Sequence, residues 1–290
     1  MPTTAIATDS NSGLTRAQAK KYGIYLLPMS FRVNDKVCYE EVDLPQQEFY
    51  KLIADPKTTV STSQPSPSEY IDFWKGILAD YDELVYIPMS SGLSGSYNTA
   101  SIIAQDFGGR VHVVNNQRIS VTQYQSVLDA VGMAQIGIGG EHIKARLEEE
   151  KFESSIYIMV NDLKYLKRGG RVTAAGALIA SVMNLKPVLQ IQGEKLDAYS
   201  KCRGIASAKN TMLDAMHKDF DGRFKDYVEA KEIQLLYSYS NMPDGEIDQW
   251  KNEIKRSFPG MKLKGAPLSL SIGCHIGPGS LAIACSKITK

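Results

Sequence analysis

The sequence predicts an α/β protein, with an N-terminal Rossmann-like domain built on a doubly wound parallel sheet (residues 1–160) and a C-terminal α+β domain (residues 161–290). Two observations carry this expectation. At 290 residues the chain has the length of two ordinary domains. Strand-like and helix-like segments alternate through the first half, the signature of parallel βαβ units, whereas strands crowd together beyond residue 155.

The N-terminal elements follow from local pattern. Thr4 to Ala7 is a short apolar run entering the polar loop Thr8-Asp9-Ser10-Asn11. Thr15 is placed to cap a helix that runs to Tyr22. Ile24 to Val33 reads as one β-rich run, Lys36 to Asp43 as its hairpin partner, and Leu44 to Ile53 as a helix. The hydroxyl-rich stretch Thr58 to Ser68 holds Pro65 and Pro67, so it cannot be a regular helix. Ser68 is placed to cap the next helix, with Glu69 in its first turn, running to about Tyr81. Glu83 to Met89 reads as a buried strand, Ser90 to Ser96 as a glycine turn, and Tyr97 to Phe107 as a helix. Arg110 to Val114 is a further strand, and Ser126 to Ile136 and His142 to Glu150 are helices.

In the second half, Ser155 to Val160 is a strand and Lys164 to Arg171 a basic glycine turn. Thr173 to Met183 reads as a buried helix rich in small residues. Pro187 to Gln192, Ile233 to Tyr239, Met261 to Ile272 and Ser280 to Ile288 read as strands, with helices over Ser207 to Asp219 and Gly245 to Phe258.

Composition excludes several function classes. A net charge of +1 calls for neither nucleic acid nor an anionic membrane as partner. No segment reaches the ~20 apolar residues of a membrane span, and the N-terminus lacks the basic start and apolar run of a signal peptide. Cys38, Cys202, Cys274 and Cys285 form no C-x-x-C pair and read as reduced thiols, which places the protein in the cytoplasm. Adjacent Cys274 and His275 rarely reach one ion together, so no metal is expected. Dinucleotide, P-loop, H-E-x-x-H and EF-hand motifs are all missing, so no cofactor is expected.

Three segments have the chemistry of a site. Ser94 lies in the glycine turn Ser90 to Ser96, where a strand hands over to a helix whose first N–H groups attract anions. It reads equally as an ordinary N-cap serine. Thr62 and Ser63 lie in the second hydroxyl-rich loop, and loops after parallel strands gather along one sheet edge. His275 stands in Gly273-Cys274-His275-Ile276-Gly277-Pro278-Gly279, expected to be a loop between strands. Gly92-Leu93-Ser94-Gly95-Ser96 also approximates the nucleophile elbow G-x-S-x-G, with Ser96 in place of the last glycine. A serine hydrolase acting on acyl esters through Ser94 and His275 is therefore the alternative reading.

The chain as a whole resembles the DegV family. The segments that carry the resemblance are Thr8-Asp9-Ser10, Thr62-Ser63-Gln64-Pro65-Ser66, Ser90 to Tyr97, and Leu166 to Arg171. Lys186-Pro187-Val188-Leu189, Arg203-Gly204 and His275 to Gly279 complete the series, in order. The better-understood members are the fatty-acid-binding (FakB-type) subunits of bacterial fatty acid kinase. The resemblance implies a carrier without catalysis of its own, holding one long-chain fatty acid in a tunnel between the two domains. Ser94, Thr62, Ser63 and His275 would grip the carboxylate. A kinase subunit of the FakA type would phosphorylate it for phospholipid synthesis, docking on a basic surface that includes Arg168, Arg171 and Arg203. Neutral hydroxyls suit that task, because they orient a carboxylate without spreading its charge as a bidentate arginine does. The helix Thr173 to Met183 is the expected tunnel wall. A DegV-like carrier of another small acid remains a further alternative. The chain departs from the family pattern at Asn115 and Asn116, and at Thr122 and Tyr124, which stand where glycines are usual. That bulk is expected near the head group, where it would narrow the pocket or change the ligand.

Overall fold

The computed structural model describes residues 3–40, 42–170 and 185–289. The chain starts with β1 (Thr4–Asp9), α1 (Arg16–Tyr22) and β2 (Ile24–Leu27). A detour follows through β3 (Ser30–Val33), β4 (Lys36–Tyr39), α2 (Gln46–Ala54) and β5 (Val60–Thr62). It continues with α3 (Pro67–Ile77), β6 (Glu83–Ile87), α4 (Ser96–Ala104), β7 (Val111–Val113), α5 (Ser120–Gln135) and α6 (Gly140–Glu149). Next come β8 (Ser154–Met159), α7 (Leu163–Arg168), β9 (Leu185–Ile191), β10 (Asp197–Arg203), α8 (Ile205–Asp221) and α9 (Lys225–Glu229). The last elements are β11 (Ile233–Tyr239), α10 (Asp244–Ser257), β12 (Leu263–Pro267), α11 (Leu270–Ile276) and β13 (Leu281–Lys287).

The first sheet is parallel throughout, in the order β2-β1-β6-β7. Side chains alternate across it. Ala5, Ala7, Leu84 and Tyr86 pack against Trp74 of α3 and Ile103 of α4. Ile6, Val85 and Ile87 pack against Ala19 of α1, Val127 of α5 and Leu147 of α6. Both faces are thus covered by helices, as a doubly wound sheet requires.

The second sheet is mixed, in the order β10-β9-β8-β13-β11-β12. Its outer face buries Tyr157, Met159 and Ile283 against Met212 and Met216 of α8 and Trp250 of α10. Its inner face carries Ile156, Ile158, Leu189 and Ala282, and turns toward Ile119 and Val121 at the start of α5, Leu166 of α7 and Ile276 of α11. Because β8 pairs with β9 and β13, it belongs to the second sheet.

Several elements differ from expectation for identifiable reasons. The run from Ile24 to Val33 splits at Pro28 into strands of different sheets, and β3 joins β4 and β5 in a small antiparallel sheet. Ser66, not Ser68, caps α3, because Pro67 takes the first helical position and Glu69 completes the capping box. The helix expected from Ser126 begins at Ser120. The basic turn is the short helix α7, capped by Asp162. The strand expected from Met261 to Ile272 ends at Pro267. Ser269 then caps α11 by accepting the Ile272 N–H at 3.3 Å. The small-residue helix Thr173 to Met183 lies outside the described residues.

A buried polar network ties α5 and α6 to β13. Arg118 donates to Ser126 and Ser286 at 2.8 Å, and to the Glu150 carbonyl at 2.8 Å. The Glu150 carboxylate accepts Lys287 at 2.8 Å and Thr289 at 2.6 Å. Asp129 sits beside this network, and burial pushes its carboxyl up to about 7 against the opposing pull of Gln125 and Arg118. The unfolded chain releases this proton near pH 4, so between about pH 4 and 7 the folded state holds more protons and stability falls as pH rises. Asp129→Asn is expected to flatten that fall and raise stability at pH 8 by a few kcal/mol at most. Thermal melts across pH check this, and an unchanged slope in the variant would refute it.

Candidate functional site

The inner face of the second sheet does not close completely on the N-terminal unit. A cavity lies between them. Its walls are apolar: Ile156 and Ile158 from β8, Ile119 and Val121 from the start of α5, Leu166 from α7, and Leu268 before α11. Among the described residues that line it, none is Asp, Glu, Lys or Arg.

Thr62, Ser63, Ser94 and His275 all line this cavity, so the structure brings together every binding residue expected from sequence. Their routes differ from expectation. Thr62 ends β5 of the small antiparallel sheet rather than following a parallel strand. His275 lies in the last turn of α11, not in a loop. The two meet at 2.9 Å between Thr62 Oγ1 and His275 Nε2. Ser63 Oγ lies 2.8 Å from Ser30 Oγ. Ser94 Oγ accepts the Ser96 N–H at 3.1 Å and lies 2.7 Å from Ser96 Oγ. Gly95, the N-cap of α4, provides no side-chain hydrogen bond to that helix.

Glycines set the close approaches. A β-carbon on Gly169 would stand 2.0 Å from His275 Nδ1. One on Gly92 would stand 2.4 Å from the Glu194 carbonyl, which also accepts the Ser90 hydroxyl at 2.8 Å. The Ser90 to Ser96 turn is thereby pinned to the β9–β10 turn across the cavity.

The helix that carries His275 is itself held from the other end of the chain. Buried Glu40 accepts the Leu270 N–H in the first turn of α11 and the Ser10 hydroxyl at 2.9 Å. A carboxylate at that end also suits the helix dipole. Gln46 donates to the Leu268 carbonyl at 3.0 Å, and Gly273 lies against the Tyr50 ring.

Sequence reasoning missed other residues of the cavity. Gln64 donates to Thr99 at 2.7 Å and joins the two hydroxyl loops; its place in the motif was the available signal. Asn11, Ser120, Ser238 and Ser271 also line the wall, with no motif to mark them. Asp9 of Thr8-Asp9-Ser10 is fully buried and is structural. It accepts the N–H groups of Met89 and Asn11 at 2.9 and 3.0 Å, which ties the ends of β1 and β6. Burial pushes its carboxyl upward and those hydrogen bonds oppose the shift.

The departures from the family pattern fall away from the cavity. Thr122 is buried and bonds back to the Ile119 carbonyl at 2.9 Å. Tyr124 faces a separate depression beside Gln18 and Tyr22. The Asn115 N–H binds Glu148 at 2.8 Å, and Asn116 is buried. The expected narrowing at these positions is therefore absent, and Ser120 and Val121 form the wall instead.

Of the basic residues, Arg168 ends α7 with its guanidinium 5.8 Å from the Tyr165 ring centre, next to the Gly169 that backs His275. Arg203 is exposed at the end of the edge strand β10. Arg171 lies outside the described residues.

The hydrolase arrangement is not formed. Ser94 and His275 share no hydrogen bond, because Ser96 engages the serine and Thr62 the imidazole Nε2. No cluster of His, Cys, Asp or Glu among the described residues has metal-binding geometry, and no helix among them is long and apolar enough to cross a membrane.

Known proteins share this architecture. A DegV domain-containing protein of Deinococcus radiodurans is 31% identical, over 98% of this chain and 99% of its own. The solved structure of a DegV family protein from Thermus thermophilus, described as fatty acid binding, superimposes with a TM-score of 0.89 at 27% identity, covering 99% of this chain and all of that one. DegV of Bacillus subtilis has the same fold, with a TM-score of 0.85 at 23% identity over 99% of this chain and 100% of its own. The family model described as "Uncharacterised protein, DegV family" matches residues 3–287. With fold, motif order and near-complete coverage in agreement, the chain belongs to the DegV family.

Proposed function

We propose that the protein binds one long-chain fatty acid in the cavity and presents its carboxylate to a partner kinase of the FakA type, which makes the acyl phosphate. The observation that carries this reading is the wall itself: a largely apolar cavity without a formally charged Asp, Glu, Lys or Arg among its described lining residues, which the hydroxyls of Thr62, Ser63 and Ser94 and the His275 imidazole also line. Each CH₂ buried there is worth about 0.8 kcal/mol, so the tail supplies much of the affinity. Ser94, Thr62, Ser63 and His275 hold the head group. The weakly capped start of α4 adds a favourable dipole. Neutral donors leave one carboxylate oxygen nucleophilic toward a phosphoryl group. The fatty acid ligand of the similar Thermus thermophilus protein supports the choice of substrate.

The test is to purify the protein, denature it and analyse the released lipid by mass spectrometry. A near-stoichiometric long-chain acid is expected. Protein free of lipid that also fails to bind added stearic acid would overturn the reading. The kinase step has its own test. Arg168→Ala combined with Arg203→Ala is expected to slow kinase-dependent acyl phosphate formation at least severalfold, by removing charge that steers the encounter. Equal loss of lipid binding and of phosphorylation would assign these residues a structural role instead.

A further inference from the structure

The cavity has a close neighbour. The depression that Tyr124 faces lies where α1 and α5 meet the β11–β12 end of the second sheet. Among the described residues, Val121 alone borders both spaces. It is 1% exposed and sits in the first turn of α5. None of Thr62, Ser63, Ser94 and His275 borders the depression. The two spaces therefore adjoin at Val121 and at none of the head-group residues.

Two walls run on from one space to the other. On α5, Val121, Tyr124 and Leu128 follow one another at three and four residues, so they share one helix face. On β11, Ser238 lines the cavity and Leu236 the depression. Residues two apart on a strand point to the same side of the sheet, about 7 Å from one another. Leu236 and Val121 also pack in the same inner-face core as Ile156 and Ile158. Beyond Val121 the walls stay largely apolar, with Leu128, Leu236 and the rings of Tyr22 and Tyr124. The Gln125 amide there is already engaged by Asp129 at 2.7 Å. Exposed Lys264 and Gly265 mark the open side.

We propose that Val121 sets the longest acyl chain the protein accepts, because its side chain stands between the cavity and an apolar space able to take the end of a longer chain. This rests on the reading of the cavity as a fatty-acid site. Each CH₂ that finds apolar contact raises affinity about fourfold. One that finds no room must fold the chain back or push packed side chains aside. Affinity therefore climbs with chain length until the methyl end meets Val121, and falls beyond it. Removing the two methyl groups of Val121 joins the spaces, and a longer acid continues between α5 and β11.

The experiment measures binding of the saturated acids from lauric to behenic, by displacement of a fluorescent fatty acid. The unaltered protein is expected to show an optimum length with a steep fall beyond it. Val121→Ala is expected to move that optimum about two carbons longer, so that the first acids past the fall bind at least about tenfold tighter. Val121→Ala combined with Leu128→Phe, which refills the depression, is expected to restore the original profile. A core that was merely loosened would not be restored in this way. Val121→Leu opens no hole in the core and is expected to move the optimum to shorter acids, which keeps the test sound if the alanine variant misfolds. An optimum that stays in place in both single variants, or a double variant that keeps the alanine profile, overturns the proposal and leaves the fatty-acid reading standing. If the unaltered protein binds none of these acids, the underlying reading falls.

Discussion

His275→Ala is expected to weaken long-chain fatty acid binding about 10- to 100-fold, and Ser94→Ala by a similar factor, without unfolding the protein. A hydrogen bond to a charged group contributes about 1.5–3 kcal/mol, and every 1.4 kcal/mol is a factor of ten. The histidine variant also releases Thr62 from its 2.9 Å contact, so the head-group site loses order as well as a partner. The fold is expected to survive, because α11 is anchored elsewhere. Glu40 holds its first turn, Ser269 caps it, and Gly273 packs on Tyr50. Displacement of a fluorescent fatty acid, with thermal melts in parallel, checks both statements. Phosphorylation of the bound acid by the kinase should fall in step. If both variants bind and are phosphorylated at the normal rate, the assignment of the head-group site is wrong.

Gly169→Ala is expected to do comparable damage although it replaces no ligand-binding side chain, because it displaces His275. Gly169 has φ of −80° and ψ of −3°, a right-handed conformation that alanine adopts freely, so no backbone penalty confuses the result. The new methyl carbon would stand 2.0 Å from His275 Nδ1, and the imidazole must move. Its bond to Thr62 then breaks or bends, and fatty acid affinity is expected to drop by at least tenfold. Gly170→Ala is the control, since no other described residue would stand within 4 Å of a β-carbon there, although its φ of 68° carries a strain cost of its own. A Gly169→Ala protein with unchanged affinity would show that the histidine's orientation is immaterial to binding.

Local chemistry made much of this structure legible in the sequence. Thr15 with Gln18 forms the capping box that starts α1, and the apolar run Glu83 to Ile87 is the buried strand β6. Thr62, Ser94 and His275 could be picked out because hydroxyls and glycines cluster around them. What escaped was settled by distant contacts. Ser269-Leu270-Ser271-Ile272 alternates polar and apolar as a strand does, and becomes helix where Glu40, far away in sequence, accepts its first N–H. The strand β10 is a mostly exposed edge whose polar residues hide its period. Ser120 and Ser238 carried no signal, because a single serine between apolar neighbours reads the same whether it meets another strand or a cavity, and Asn11 was one polar residue among several in its loop. Ser120 in particular owes its place to a positive φ that no serine announces.

The grip of Glu40 on Leu270 and of Thr62 on His275 has a consequence for biosynthesis. On a ribosome, the hydroxyl arm emerges long before the helix that completes it. The nascent chain has no finished binding site to occupy, and an acid cannot template its early folding. If the cavity holds the proposed acid, loading waits until residues near 275 have left the exit tunnel, and a product cut short before them is expected to fold much of its first sheet yet carry no cargo.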